Sequence, residues 1–292
     1  MHIKGAFDTH VHFAPHAKVK ANTDALSLVR LAAENDMAGL VLKCNCFPSV
    51  GIAYLAHLIC PELKVFGGIV INPQIGGLNP AAVKAAISYG EGKTAEYCRF
   101  VCLPTFYSAR DIEFYHKKET PIGLVKDGKV LDDLKRILDL VAENSLVLLT
   151  GHIGERELFP VVEQAIRQGV RNIVLSHPSS PVVNISLEAQ KAFGEMGAVM
   201  QQCCVETYPY YEKKYGILGP SFDDLAKAIR FVGTENCIIA TDMGADAGVN
   251  PNPIGGFANY INELEKRGFT EEEISVMAAK HPLKLYTDGM SI

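Results

Sequence analysis

The 292-residue sequence has no apolar run approaching the roughly 18 residues that a membrane helix needs. A membrane role is therefore not expected. It has no basic excess either. Lys and Arg number 28 against 33 Asp and Glu, for a net charge of −5, so no electrostatic footprint for nucleic acid is present. Lys117-Lys118 and Lys213-Lys214 are isolated pairs and read as solvated surface. No charged stretch followed by an apolar one opens the chain, so a secretory leader is not expected and a cytoplasmic location is. The eight cysteines are too sparse for a disulfide scaffold, and several sit inside apolar strand-like runs, where reduced, buried thiols are expected. Cys44-x-Cys46 is a weak metal signal, because a thiolate pair normally has two intervening residues and a second pair elsewhere. Repeats, low-complexity tracts and linkers are also missing, so residues 1–292 read as one domain.

What is present is an alternation of strand-like and helix-like segments. Short runs rich in Val, Ile, Leu and Cys predict strands at 3–12, 39–45, 65–72, 98–104, 146–152, 172–177, 198–206 and 237–242. Both faces of these runs are apolar, as in a parallel sheet covered by helices. Helical patterns cover 23–35, 132–144, 155–168, 186–196, 221–232, 254–266 and 271–279, and Asn79-Pro80 opens another with a cap and a first-turn proline. Eight such strands predict an α/β fold, the (β/α)8 TIM barrel, with a doubly wound open sheet as the alternative. Residues 106–131 form an insertion after strand four, and Asp127-Gly128 between two apolar runs predicts a β-hairpin there.

The barrel is favoured by what ends the strands. His10 and His12 end strand one, His152 strand five, His177 strand six and Asp242 strand eight. In a barrel these ends converge on the face that carries active sites. Strand alternation points His10 and His12 the same way, so both imidazoles can reach one cation near about 2.1 Å.

Asp8-Thr9-His10-Val11-His12, Gly151-His152, Ser176-His177-Pro178 and Thr241-Asp242, in this order, resemble the amidohydrolase superfamily over almost the whole chain. The pattern looks most like a poorly characterised branch of predicted metal-dependent hydrolases with Gly-His on strand five and Thr-Asp-x-Gly on strand eight. The resemblance implies that His10, His12 and Asp242 bind one divalent metal. It further implies that His152 and His177 bind a second, or hold water and substrate. Two-metal members usually bridge the ions with a carboxylated lysine or a glutamate at the end of strand four. Here that strand ends Cys102-Leu103-Pro104-Thr105. Lys43, ending strand two, is one candidate to substitute, and its place on so apolar a strand demands a partner, a shifted pKa or carbamylation. Glu206, ending strand seven, is the other.

The expected chemistry is hydrolysis of a small amide, lactone or ester. Zinc is the expected metal, with Mn, Fe and Ni compatible. Asp242 would act as base and then acid, and His177 would polarise the carbonyl. Catalytic residues are thus expected to be Asp242, His177 and Lys43. A metal-dependent decarboxylase, a phosphoesterase and a degenerate metal-binding barrel are the competing readings. The partner is a small-molecule substrate, and a homo-oligomer is compatible with the sequence. Tyr208, Tyr210, Tyr211 and Tyr215, after strand seven, form either a pocket wall or a packed rim. Arg110, His116, Lys117 and Lys118 read as a solvated hairpin rather than an anion site. Asp246 is expected to order the last strand-end loop, residues 250–253 to cap the next helix, and His16 to lie near the site.

Overall fold

The computed structural model describes residues 3–16, 21, 23–89, 95–246 and 251–290. In chain order these form β1 (Phe7–Val11), α1 (Ala25–Glu34), β2 (Gly39–Leu42), α2 (Val50–Ile59), β3 (Lys64–Val70), α3 (Pro80–Ile87) and β4 (Cys98–Cys102). The insertion follows as α4 (Ala109–Phe114), β5 (Val125–Lys126) and β6 (Lys129–Val130). Then come α5 (Asp132–Glu143), β7 (Val147–Leu149), α6 (Glu155–Arg167), β8 (Asn172–Ser176), α7 (Leu187–Glu195) and β9 (Val199–Cys203). The chain ends with α8 (Pro209–Tyr215), α9 (Phe222–Val232), β10 (Cys237–Ala240), α10 (Pro253–Lys266), α11 (Glu271–Ser275) and α12 (His281–Thr287).

The eight main strands pair in parallel in the order β1-β2-β3-β4-β7-β8-β9-β10. Val11 bridges Met243 in parallel, and the amides of His12 and Asp242 donate to Met243 O (2.8 Å) and His10 O (2.9 Å). These bonds close the sheet into a (β/α)8 barrel. Phe7, Val41, Phe100, Val147, Val174 and Ile238 fill its interior. Tyr286 of α12 stacks on Phe7 at 5.9 Å between ring centres and plugs the end where the strands begin. Buried Arg99 holds that plug, donating to the Tyr286 and Asp288 carbonyls. The opposite end, where the strands finish, stays open.

Local chemistry sets the helices. The Asp24 carboxylate caps α1 through the Leu26 and Ser27 amides, and Asn79 caps α3 with Pro80 at its first turn. In α5 the buried stripe is Leu134, Ile137, Leu138 and Val141, as its periodicity predicts. Helix α2 escaped the sequence reading because it has no polar face. It runs Val-Gly-Ile-Ala-Tyr-Leu-Ala-His-Leu-Ile and leaves Leu55 and Leu58 exposed. The Asp127-Gly128 hairpin is present as β5 and β6, but the insertion also contains α4, capped by Ser108. The seventh barrel strand is shorter than expected. β9 stops at Cys203, and Glu206 lies in the 3-10 turn Val205–Thr207 beyond it. No helix among the described residues is long and apolar enough to cross a membrane, and all eight cysteines are free thiols.

Candidate metal centre and active site

The site is built on the seam where the last strand meets the first. Asp8 fastens that seam, accepting from the Thr241 hydroxyl (2.6 Å), the Thr241 amide (3.2 Å) and the His10 amide (3.1 Å). Phe7 belongs to the barrel interior, whereas Val11 packs in the outer layer. Four residues apart, they would share a face in a regular strand. The register with β2 slips between Asp8 and Val11, and this bulge resets the phase. It sends Asp8 to the seam while His10 and His12 reach the open end. Across the seam Asp242 sits at φ 56°, the left-handed region that few residues other than glycine adopt. Gly244 is needed beside it, since a Cβ there would lie 2.0 Å from His12 O.

His10, His12 and Asp242 form a group able to hold a metal ion, their donor atoms within 4.8 Å of one another. His10 Nε2 and His12 Nε2 each lie 3.0 Å from Asp242 Oδ1. The second nitrogen of each ring is engaged elsewhere. His12 Nδ1 stands 2.9 Å from the Lys43 carbonyl, which only accepts, so this nitrogen carries the proton. His10 Nδ1 meets Gln201 Oε1 at 2.9 Å, and Gln201 is oriented by its amide nitrogen donating to Thr9 Oγ1 at 2.8 Å. Burial pushes His10 down to about 4, so the ring is neutral. Burial also resists charge on Asp242, but the adjacent His10 and His12 outweigh it and hold the carboxyl well below its usual range. With both rings in the neutral form that a metal requires, the two Nε2 lone pairs face one carboxylate oxygen, and that of His10 also meets Lys43 Nζ. That arrangement of acceptors fits a divalent cation.

Lys43 is buried at 2% exposure, and its ammonium donates to His10 Nε2 at 3.1 Å. Burial pushes the thiol of Cys102, the residue that ends β4, upward, and the charge of Lys43 partly opposes this. His177 and His152 line the same cavity beside this group. Their rings are 5.0 Å apart, and His177 lies 5.8 Å from His10. His177 also has a positive φ of 32°, and its Nδ1 is buried without a hydrogen-bond partner. His152 Nδ1 donates to Asp111 Oδ1 at 2.7 Å, which fixes the orientation of its ring. Burial opposes the Asp111 charge, yet His152 and Lys117 hold its carboxyl below the usual range.

The cavity holds about 450 Å³ and joins these residues to His16, Phe106, Tyr115, Glu206, Tyr211 and Tyr215. The structure thus gathers His10, His12 and Asp242 tightly, sets Lys43 against them, and leaves His152, His177 and Glu206 on the cavity wall. Glu206 accepts from Ser180 Oγ at 2.7 Å and stands outside the metal group. The tyrosine segment includes α8, and Tyr211 and Tyr215 face the cavity, so it is a pocket wall. Asp246 orders it, accepting from Tyr210 (2.9 Å), Tyr215 (3.2 Å) and Lys214.

Several expectations change. Lys117 is not a solvated hairpin residue: it pairs with buried Asp111 and lines the cavity. Lys213 and Lys214 are exposed, as expected, and Lys214 pairs with Asp246 at the surface. Arg110 is committed to the Val182 carbonyl at 2.8 Å, while His116 and Lys118 are exposed. Cys44 and Cys46 stand outside the metal group. Asn252 caps α10 through the Gly255 amide at 2.9 Å, while Asn250 lies outside the described residues. Asp111 and Gln201 were missed by the sequence reading. Asp111 lies in the insertion with no strand-end position to mark it. Gln201 sits inside β9 and shows only as a Gln-Gln pair within an otherwise apolar strand.

Solved structures share this architecture over nearly their whole lengths. The probable dipeptidase PvdM from Pseudomonas aeruginosa superposes with a TM-score of 0.67 at 12% identity, covering 96% of this chain and 94% of that one. An amidohydrolase from Burkholderia multivorans with bound zinc gives 0.61 at 15% identity, covering 97% and 99%. The 2,6-dihydroxybenzoate decarboxylase from Rhizobium gives 0.57 at 12%, again covering 97% and 99%. The shared fold is the (β/α)8 barrel. No curated protein matches the chain in sequence. A family model does match residues 5–201, so the chain belongs to DUF6282, a family of unknown function.

Proposed function

We propose that this protein is a metal-dependent hydrolase of the amidohydrolase type, acting as one domain on a small amide, lactone or ester. The observation that carries the reading is the convergence of His10 Nε2, His12 Nε2 and Asp242 Oδ1, with both ring protons directed away from the centre. These three residues would hold one divalent ion. Imidazole and carboxylate donors suit zinc, the metal present in the Burkholderia relative, and tolerate Mn, Fe or Ni.

When bound, such an ion supplies Lewis acidity that makes water a nucleophile near neutral pH. Asp242 accepts the proton of the attacking water and returns it to the leaving group. His177, beside His10, binds the substrate carbonyl oxygen. His152, held by Asp111, lines the same space. Lys43 takes the position that a strand-four ligand leaves empty here, either orienting the nucleophile or, once carbamylated, completing a second site with His152 and His177.

A panel of lactones, esters and amides tests this. Asp242→Asn should retain metal while turnover falls about 10²–10⁴-fold, the span of general acid-base catalysis. Full activity in that variant would overturn the assignment. The likeness to the Rhizobium decarboxylase supports a second reading, lyase chemistry on the same centre. Release of carbon dioxide without incorporation of solvent oxygen would establish it instead.

A further inference from the structure

The charges around the cavity are nearly all committed to one another. Asp111 pairs with Lys117, Asp246 with Lys214, and Asp242 faces the two histidines. Lys43 donates to His10. Glu206 differs. It accepts from the Ser180 hydroxyl at 2.7 Å and lines the cavity with Tyr211, and no cation pairs with it among the described residues. No arginine lines the cavity among those residues either.

Glu206 is held rigidly. Its turn follows β9, and Gly219 packs so close that a Cβ there would lie 2.2 Å from Glu206 O. The wall beside it is aromatic, formed by Tyr115, Tyr211 and Tyr215. That wall already accepts a cationic nitrogen, since Lys117 Nζ lies 4.9 Å from the centre of the Tyr115 ring.

We infer that Glu206 selects the substrate, recognising a cationic nitrogen such as an amine, amidine or guanidine carried by the molecule to be hydrolysed. This rests on the proposed use of the cavity as the substrate site. A cation here gains a charge-assisted hydrogen bond and an aromatic face together. A substrate carboxylate would meet Glu206 instead, and among the described lining residues would find no uncommitted lysine or arginine. Burial supports the same view, pushing Glu206 up to about 7, because a cationic ligand offsets the charge that burial penalises.

Benzamidine, benzamide and benzoate have nearly the same shape and differ in charge. Their binding to the protein as purified is measured by calorimetry at pH 8, with no turnover needed. Benzamidine should bind at least about ten-fold more tightly than benzamide, the minimum for one charge-assisted bond. In Glu206→Gln that preference should fall to about two-fold or less, with benzamide unchanged. Should that variant fail to fold, Glu206→Asp keeps the charge and should keep a preference for benzamidine over benzamide. Equal affinities in the natural protein, or a preference that survives Glu206→Gln, would overturn the inference. A protein that shows the preference but hydrolyses nothing would count against the hydrolase reading alone.

Discussion

His12 Nε2 and Asp242 Oδ1 meet across the closing seam of the barrel at 3.0 Å, although His12 places its ring proton on the Lys43 carbonyl. His10 repeats the pattern with Gln201 as its proton acceptor. The lone pairs are therefore aimed by groups outside the centre, and under the proposed function those groups would set metal affinity.

Gln201→Leu tests that dependence. Without the amide oxygen, His10 loses the partner that fixes its tautomer and ring orientation. Zinc affinity should weaken about 10–100-fold, as when comparable supporting partners are removed elsewhere. Titration against a competing chelator reads it, with circular dichroism showing whether the barrel persists. Undiminished affinity would mean that the ring is oriented by packing alone.

Thr241→Val tests the seam. The Thr241 hydroxyl is 2.6 Å from Asp8 Oδ2, and burial raises the Asp8 carboxyl to about 7 despite that bond. Valine keeps the shape and leaves a buried acceptor without its donor. We expect a loss of about 1–3 kcal/mol in urea denaturation of the chelated protein. Thr241→Ser should recover most of it.

Glu206 gives the pH dependence a sign. Its carboxyl rises from 4.5 to about 7 on folding, so the folded chain binds this proton more tightly than the unfolded one. Its contribution to stability is fully present below 4.5 and is lost as pH rises through 7. Glu206→Gln does not titrate. Its melting temperature, relative to the natural chain without metal, should therefore climb between pH 4.5 and 7 and level off above. A constant difference across that window would contradict the shift.

The parallel barrel was legible in the sequence because buried strands are apolar on both faces and the helices between them are mostly amphipathic. Helix α2 was not, because Val50–Ile59 lacks the polar face that periodicity detects. The pairing of His10 with His12 followed from strand alternation, and its match to Asp242 followed from both lying at strand ends. The bulge between Asp8 and Val11 could not be read, since it depends on register with β2. Nor could the Asp111 contact to His152 be read. It joins residues 41 apart through an insertion whose helix, α4, is only six residues long. Glu206 was placed near the site but at a strand end; β9 stops three residues earlier, and the turn beyond it puts the carboxylate on the cavity wall.

Metal content of protein purified without chelators bears most directly on the central claim. The account predicts at least about one equivalent of zinc or another transition metal per chain, lost in His10→Ala and regained on reloading only by the natural protein. Well under one equivalent, unchanged in His10→Ala and not raised by added zinc, would contradict it.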